Sequence, residues 1–415
     1  MDLELEGLNS SQRLALESRL GRNPSVDGIL GPAGTGKTQV ASYEACIAAY
    51  ESGERVLIAA QQNAAVDQII LKTVDIARVA GISKERISRD IKRTGNLSNV
   101  NPLLSDCCTK NPNELSHAVI VGTTLYSAFV PTGQKILEQG SFDRVIIDES
   151  GQITPEQAWQ VLRLIRNSDG ATISAYGDDI QLTPIGYDFV PERSILRRMR
   201  ESNQQLMLLD TTYRLNSPGV DMTSQIFYQG LLQAPQQVKD RKLLLEKKPA
   251  GLLQPASDPL NTLVYVPVEG EETRLGWSFD NYNQARVVAD LCYEFIRLGI
   301  SPSRISVIAA YSPHIRTINI LLDGTGVQCR TVHKMLGGEN DIIIFATTRS
   351  NSTKDLGFLM QPEILNVATS RQLRKLIIVG DAGETFSEGS RTSGRIFDFI
   401  AAHGSSIEPI RTAKL

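Results

Sequence analysis

The sequence is poor in the residues that build covalent or metal-bound frameworks. It has five cysteines and four histidines in 415 residues, and the cysteines stand at positions 46, 107, 108, 292 and 329. An odd, scattered set of this kind is neither a disulfide framework nor a zinc-ligand pattern. We interpret the adjacent pair Cys107 and Cys108 as incidental, and we expect a reducing, intracellular compartment.

Long apolar runs and an excess of one charge are also absent. No stretch approaches the roughly 18 to 20 apolar residues that a membrane-spanning helix requires, and the first six residues are acidic where a secretory signal would be basic and then apolar. We therefore expect no membrane span. The 43 basic residues are matched by 46 acidic ones, which excludes coating of nucleic acid by bulk charge but not a narrow basic groove.

Short β-branched runs alternate with amphipathic helical segments along the chain. The runs show little polar alternation, which is typical of strands buried on both faces of a parallel sheet. In segments between the runs, such as 280–298, apolar residues recur at helical spacing, which predicts helices that connect parallel strands. Strands that alternate with helices in this way predict an α/β fold. The runs form a first series at 56–60, 118–121, 145–147 and 171–176, and a second at 206–209, 263–266, 305–309, 327–332, 341–346 and 376–379.

Two series of strands predict two domains of about 200 residues each. We place the first domain at residues 1–204 and the second at 205–415. Segment 80–116 leaves room for at most a small helical insertion in the first domain. Segment 233–261 is rich in Lys, Leu, Pro and Gln and predicts an irregular surface excursion within the second domain.

The strongest local motif is a glycine-rich loop, Gly31-Pro-Ala-Gly-Thr-Gly-Lys37-Thr38, which follows a short apolar run and matches G-x-x-x-x-G-K-[ST]. Glycines let the backbone curl so that its N–H groups point at phosphate oxygens beside a helix N-terminus. We expect Lys37 to reach the β and γ phosphates of a nucleotide and the Thr38 hydroxyl to bind Mg²⁺. The other residues of the loop that we expect to bind the nucleotide are Gly31, Gly34, Thr35 and Gly36.

An acidic pair, Asp148-Glu149, ends an apolar run further along the chain. We expect Asp148 to hold the Mg²⁺ shell and Glu149 to act as general base toward the attacking water. A P-loop with such a pair fits transporter ATPases, AAA rings, recombinases and helicases alike. Gln181, a neutral donor and acceptor that ends the next strand, could sense a γ-phosphate or the attacking water.

The segment around Gln181, Gly177-Asp-Asp-Ile-Gln-Leu-Thr-Pro184, resembles the third motif of superfamily 1 helicases. More narrowly, it is similar to the branch that contains the RNA-surveillance helicase of nonsense-mediated decay and senataxin. The resemblance runs in order from about residue 8 to residue 380. It implies two tandem RecA-like domains, each a mostly parallel sheet flanked by helices, that hydrolyse ATP with Mg²⁺ between them.

Further motifs imply nucleotide-binding roles by the same resemblance. Leu8-Asn-Ser-Ser-Gln12 looks like the Q motif, whose glutamine reads adenine. Tyr213-Arg214 resembles an element in which the tyrosine stacks on adenine and the arginine meets the γ-phosphate. Glu339 would contact the ribose, and Arg371 would be a second arginine finger.

The resemblance also assigns nucleic-acid contacts, to Asn63, Thr123, Thr124 and Thr331. Hydroxyls and backbone amides that bind phosphates read no sequence, so the expected partner is single-stranded RNA or DNA bound without sequence preference. The two arginines lie in the second series of strands, so they reach a triphosphate in the P-loop only if the domains close on it. An arginine finger is worth about 10³ to 10⁵ in rate. If both domains also hold the backbone of a nucleic-acid strand, repeated closing and opening of the domains would move the protein along that strand.

The chain departs from this family at several points. The branch usually carries a β-barrel before the Q motif; the sequence has no room for one there, although an upstream domain could have been removed. Leu336 and His314 each replace a glutamine, Ala310 replaces a proline and Gln284 replaces a glutamate. Since the ATPase residues are intact, we expect ATP hydrolysis by a monomer, with weak translocation or a need for a protein activator. The alternatives are an ATP-switched nucleic-acid clamp or scaffold, and an unrelated P-loop enzyme such as a kinase.

Overall fold

The computed structural model describes residues 5, 7–20, 25–81, 83, 86–90, 101–109, 111–128, 141–166, 170–184, 193–335 and 337–411. The chain divides into two compact units. The first unit comprises residues 1–179 and 183–210, and the second comprises residues 180–182 and 211–415. Each unit is built around its own parallel sheet.

The first sheet is made of short runs of Val, Ile, Ala and Thr, most of them buried on both faces, as strands covered by helices on both sides must be. Its strands are β1 (Val26–Leu30), β2 (Val56–Ala60), β3 (Ile87–Asp90), β4 (Cys108–Thr109), β5 (Ile120–Thr124), β6 (Arg144–Ile147), β7 (Thr172–Gly177) and β8 (Met207–Leu208). Their order in space is β4-β3-β5-β2-β6-β7-β1-β8, and every pairing is parallel.

Two helices of the first unit, α1 and α6, begin at capping boxes. The side chains of Asn9 and Thr154 each accept a hydrogen bond from the backbone N–H three residues later, and their own backbone N–H groups donate to the side-chain oxygen of the glutamine there, Gln12 or Gln157. Each box therefore satisfies two backbone donors at the helix start. The helices are α1 (Ser10–Arg19), α2 (Lys37–Tyr50), α3 (Asn63–Val79), α4 (Pro112–His117), α5 (Leu125–Ala128), α6 (Pro155–Leu162) and α7 (Ile195–Glu201).

The second sheet is equally parallel. Its strands are β9 (Leu263–Val268), β12 (Ile305–Ala309), β13 (Gln328–Thr331), β14 (Asn340–Ala346), β15 (Gln372–Asp381) and β16 (Ser405–Ser406), with an antiparallel hairpin of β10 (Thr273–Leu275) and β11 (Ser278–Asp280) outside the sheet. The order in the sheet is β13-β12-β14-β15-β9-β16.

The helices of the second unit cover that sheet with apolar faces. In the longest of them, Val288, Leu291 and Phe295 lie at helical spacing and are buried, each contributing about 1.5 to 3 kcal/mol as an upper estimate. No helix in the described ranges is both long and apolar enough to cross a bilayer. The helices are α8 (Gly219–Phe227), α9 (Gln236–Lys239), α10 (Gln254–Ser257), α11 (Tyr282–Arg297), α12 (Ser312–Leu321), α13 (Pro362–Thr369), α14 (Thr385–Glu388) and α15 (Arg391–His403).

The predicted α/β class with parallel sheets is confirmed, and three local predictions need correction. The run at 206–209 is a strand, but its assignment to the second series is wrong, because β8 pairs with β1 in the first sheet. The prediction of at most a helical insertion at 80–116 is wrong, because β3 and β4 widen the first sheet there. Segment 233–261 is not only a surface excursion, since it buries Val238, Leu243 and Leu253.

Candidate nucleotide site and nucleic-acid contacts

The glycine-rich loop lies between β1 and α2, at the carboxyl end of the first sheet. Gly36 has φ of +82°, a left-handed conformation that glycine adopts without strain, and a Cβ on Gly31 would lie 2.2 Å from Cγ of Lys37. The Lys37 ammonium donates a hydrogen bond to the Gly31 carbonyl at 2.7 Å, so the side chain folds back over the loop. Gly34 is also left-handed, with φ of +74°. The loop can therefore turn its backbone toward an anion at the start of α2.

Gln12 supports this loop from α1. Its side-chain oxygen accepts from the Asn9 N–H at 3.0 Å, and its amide nitrogen donates to the Thr35 carbonyl at 2.9 Å. Thr35 is buried, and its hydroxyl donates to the Pro32 carbonyl at 2.9 Å. Gln12 thus has a visible structural function, since it ties the helix cap of α1 to the P-loop.

The acidic pair follows β6 at the same edge of the sheet. Asp148 is 4% exposed, its N–H donates to the Ala59 carbonyl at 2.9 Å, and Glu149 has a left-handed φ of +53°. The Oδ1 atom of Asp148 is buried without a hydrogen-bond partner among the described residues. Burial, and after it the charge of Glu149, raises the pKa of Asp148 to about 7, against an opposing effect of the Lys37 ammonium.

The side-chain oxygens of Asp148 and Thr38 have the chemistry that a magnesium nucleotide requires. A buried carboxylate oxygen without a donor is costly unless a cation or a proton meets it. Carboxylate and hydroxyl oxygens are the ligands that Mg²⁺ prefers, and Thr38 stands in the first turn of α2, directly after Lys37. The donor set of Asp148 and Thr38 therefore fits Mg²⁺, and the loop with Lys37 fits phosphate.

The turn that carries the acidic pair is fixed by close backbone packing against the end of β7. A Cβ on Gly151 would lie 2.2 Å from the Asp178 carbonyl oxygen, and the Ser150 hydroxyl donates to the Tyr176 carbonyl at 2.7 Å. Sequence reasoning missed Gly151 as a site residue. The signal was present, since Gly151 comes two residues after the acidic pair, but only the structure shows which backbone it approaches.

Four of the predicted nucleotide-site residues form two contacts within the second unit. Arg214 donates from Nε to Glu339 at 2.7 Å and from Nη1 to the Ser370 carbonyl at 3.4 Å. Arg371, which precedes β15, donates from Nη2 to Gln181 Oε1 at 2.8 Å. Both arginines are buried. The side chain of Tyr213, beside Arg214, is exposed.

Two of the predicted nucleic-acid contacts of the first unit, Asn63 and Thr123, belong to one polar network. Asn63 accepts from Arg89 Nη2 at 2.7 Å, and Arg89 Nε donates to Asp67 at 2.8 Å. The Thr123 hydroxyl is fully buried and donates to Asp90 at 3.0 Å. The network therefore fixes the ends of β2, β3 and β5 relative to one another. Arg89 and Asp90 were missed because the sequence around them was not interpreted as a strand.

Thr124 and Thr331 are placed differently from Thr123. Thr124 follows Thr123 at the end of β5, where its hydroxyl is hydrogen-bonded to the Ser127 hydroxyl at 3.0 Å and caps the short helix α5. Thr331 is half-buried at the end of β13, beside Ala309 of β12. Both residues stand at the carboxyl edge of their own sheet.

Two of the departures in the second unit, His314 and Gln284, have structural explanations. His314 is buried and shares a hydrogen bond between Nδ1 and Asp280 at 2.9 Å, and burial lowers its pKa. Gln284 accepts from the Thr348 N–H at 2.8 Å, a bond that a glutamate could also accept. Ala310 follows β12 and is half-buried, and Leu336 lies outside the described residues.

Comparison with known proteins adds an independent observation. Residues 7–246 match a protein-family model described as an AAA domain, and residues 191–383 match a second model with the same description. The chain is 27% identical over 420 residues to the regulator of nonsense transcripts 1 homolog of Drosophila melanogaster, covering 91% of this chain and 34% of that protein. It is 27% identical over 416 residues to the human DNA replication ATP-dependent helicase/nuclease DNA2, covering 91% and 37%.

A smaller relative and a solved structure are also similar. The DNA polymerase alpha-associated DNA helicase A of Schizosaccharomyces pombe is 27% identical over 435 residues, which cover 90% of this chain and 64% of that protein. A structure of an arterivirus nonstructural protein 10 helicase with DNA aligns at a TM-score of 0.46 and 14% identity, covering 94% of this chain and 65% of that one. The chain spans about a third of the length of the first two relatives.

Proposed function

This chain belongs to the AAA-domain family and, within it, to the superfamily 1 helicases of the branch that contains the regulator of nonsense transcripts 1, and from that membership we propose that it is an ATP-dependent translocase on single-stranded nucleic acid. Helicases of this family use ATP with Mg²⁺. The observation that carries the proposal is the unpaired, buried Asp148 oxygen beside Lys37 at the P-loop. That arrangement is costly in a merely structural protein and useful in a nucleotide site.

In the proposed ATPase site, each residue of the first unit has a distinct task. The loop with Gly31, Gly34, Thr35 and Gly36 presents backbone N–H groups to phosphate oxygens, and Lys37 exchanges the Gly31 carbonyl for the β and γ phosphates. Asp148 and the Thr38 hydroxyl would hold Mg²⁺, which when bound neutralises charge on the triphosphate. Glu149 orients the attacking water and takes its proton.

The residues of the second unit act as cations toward the same phosphates in this proposal. Arg214 and Arg371 stabilise the charge that develops in hydrolysis, an effect worth about 10³ to 10⁵ in rate. Glu339 holds the guanidinium of Arg214 in place and Gln181 does the same for Arg371, at the distances given above. Tyr213 and Gln12 contact the adenine, and Glu339 also meets the ribose.

Strand binding follows from the polar ends of the two sheets. Asn63, Thr124 and Thr331 would contact phosphates directly, with Thr123 positioned by Asp90 behind them. Such contacts carry no sequence information, so we propose binding to single-stranded RNA or DNA without sequence preference. We further propose that the two compact units are the two RecA-like domains, which the sequence predicts at residues 1–204 and 205–415. The pairing of β8 with β1 supports including residues 205–210 in the first domain.

The experiment is a titration of ATP turnover with matched RNA and DNA oligonucleotides at two salt concentrations. Turnover should rise several-fold with a single strand, and Lys37→Ala should abolish both basal and stimulated phosphate release, because nothing else in the loop replaces its ammonium. Lys72→Ala is the matched control, since Lys72 is an exposed lysine on α3 of the same unit. Unchanged turnover in Lys37→Ala would refute the site.

A second candidate is an ATP-switched clamp that binds a strand without cycling. The observation that favours it is that Arg214 and Arg371 are both buried and already hydrogen-bonded within the second unit. A clamp should bind ATP and an oligonucleotide with negligible phosphate release, whereas a translocase releases phosphate continuously. Measuring both quantities on one preparation separates the two. The same preparation tests the predicted monomer by light scattering, and an activator by its effect on turnover.

A further inference from the structure

A hairpin in the second unit carries an aromatic side chain that the proposed function leaves unused. The hairpin is formed by β10 and β11, and its two-residue turn is Gly276-Trp277. Trp277 is 93% exposed, and Leu275 beside it is 48% exposed. A tryptophan side chain has a large apolar area, so burying it would stabilise the protein more than burying most other side chains. An exposed tryptophan does not contribute this free energy to folding. An indole kept in water at a loop tip is therefore a candidate contact residue.

The base of the hairpin is held by hydrogen bonds and by aromatic packing. Arg349 is buried and donates to Glu272 at 2.8 Å, and its guanidinium lies 4.0 Å from the centroid of the Phe279 ring. Tyr311 packs edge-on against Phe279 at 5.4 Å. At the other end of β11, Asp280 accepts from the Thr317 hydroxyl at 2.6 Å. The tip is thus presented on a fixed support, which reduces the entropy lost when a ligand contacts it.

These anchors place the hairpin at the carboxyl edge of the second sheet. Tyr311 follows β12 and Arg349 follows β14, and parallel strands bring both ends to one edge. Thr331, the residue proposed to contact the strand, ends β13 at the same edge beside Ala309. Helix α12 packs against both β11 and β13. The hairpin therefore stands next to the proposed path of the strand.

Several basic side chains lie on the hairpin and on the elements that neighbour it. The Arg274 guanidinium lies 6.0 Å from the centroid of the Trp277 ring, a cation–π arrangement. Arg316 on α12, Arg330 on β13 and Lys334 after it are exposed, and none of the three forms an ion pair with another described residue. An exposed aromatic ring, with positive groups on neighbouring elements that form no ion pair with a described residue, matches a polyanion that carries flat, stackable bases.

We propose that Trp277 stacks on a base of the bound single strand, while Arg274, Arg316, Arg330 and Lys334 face its phosphates. The inference rests on the proposed function and extends it by assigning a stacking platform. Every base has a π face, so stacking is compatible with binding that ignores sequence. A duplex offers its bases only at the end, so the contact favours a single strand.

The experiment uses the two tryptophans of the chain, Trp277 and Trp159. In a Trp159→Phe variant, Trp277 is the sole tryptophan, and its emission should be quenched as an unlabelled deoxythymidine oligonucleotide is added. Fluorescence anisotropy of a labelled oligonucleotide measures affinity in parallel. Because stacking on an aromatic side chain contributes about 1 to 3 kcal/mol per base, Trp277→Ala should weaken binding by about 5- to 150-fold, and Trp277→Phe by less.

Two controls distinguish the inference from the function on which it rests. Trp159→Ala removes an equally large ring that is 67% exposed on α6 of the first unit, and it should leave affinity unchanged. Arg330→Ala should lower the slope of affinity against salt by about one. If the oligonucleotide binds but Trp277 emission and the affinity of Trp277→Ala are unaltered, the stacking platform is refuted and the proposed function survives. If the unaltered chain binds no oligonucleotide at low salt, both fail.

Discussion

The buried carboxylate of Asp148 makes the stability of the metal-free protein depend on pH. Burial and Glu149 raise its pKa from 3.8 to about 7. Because the folded state holds the proton more tightly than the unfolded state, this group contributes stability below pH 3.8 that is lost as pH rises through about 7. The full loss corresponds to about 4 kcal/mol, from three pKa units at 1.36 kcal/mol each.

Asp148→Asn removes the ionisation and keeps the shape of the side chain. Without metal or nucleotide, the variant should exceed the unaltered protein by about 4 kcal/mol at pH 8 and by about 2 kcal/mol at pH 5, where the carboxyl of the unfolded chain is already ionised. For a unit of about 200 residues this corresponds to a rise in Tm of about 8 to 16 °C at pH 8 and about half of that at pH 5.

The assay is differential scanning calorimetry in a chelator at the two pH values, following the transition that the variant shifts. Asp75→Asn is the matched control, because Asp75 is an exposed carboxylate on α3 that pairs with Arg78 at 3.2 Å, and an exposed pair contributes under about 1 kcal/mol. Magnesium nucleotide should stabilise the unaltered protein more than Asp148→Asn. A Tm difference that is the same at pH 5 and pH 8, or a variant less stable at both, would refute the reasoning.

Two further predictions concern packing in the first unit. Arg144→Met should lower the free energy of unfolding by about 3 to 5 kcal/mol, because it removes the guanidinium that lies 2.8 Å from the fully buried Glu44 carboxylate. Arg166→Met is the control: the Arg166 side chain is 58% exposed and pairs with Asp143, so its loss should cost under about 1 kcal/mol. Equal urea midpoints for the two variants would contradict this prediction. Gly151→Ala should lower the free energy of unfolding by about 1 to 3 kcal/mol, because the new Cβ would meet a backbone carbonyl that cannot move aside. Gly170→Ala is the control, since a Cβ there would meet no atom within 4 Å. If the two variants melt at the same temperature by circular dichroism, the packing argument is wrong.

Most of the first sheet and the nucleotide loop follow from local sequence. The run at β2 in the first sheet matches its strand at both ends, as does the run at β12 in the second sheet, since an apolar run buried on both faces defines where the strand begins and ends. The P-loop is equally local, because the glycines, Lys37 and the start of α2 are adjacent in the chain. For these elements, local pattern and tertiary structure require the same conformation.

Other features depend on contacts that no local pattern contains. β3 and β4 are short and partly polar, and Arg89 and Asp90 are buried only because Asp67, Asn63 and Thr123 meet them. β8 could belong to either sheet by composition, and its pairing with β1 decides the matter. The hairpin of β10 and β11 has too few apolar residues to signal a strand, and its fixation by Arg349 joins residues far apart in the chain.

The segment 178–181 connects the two sets of proposed catalytic groups. At one end, the Asp178 carbonyl lies against Gly151, in the turn that carries Asp148 and Glu149. At the other end, Gln181 accepts from Arg371. These two contacts are separated by only three residues of the chain, of which 179 and 180 form a turn. In the proposed function, a nucleotide that displaces Asp148 and Glu149 would act on the support of Arg371 through this short connection.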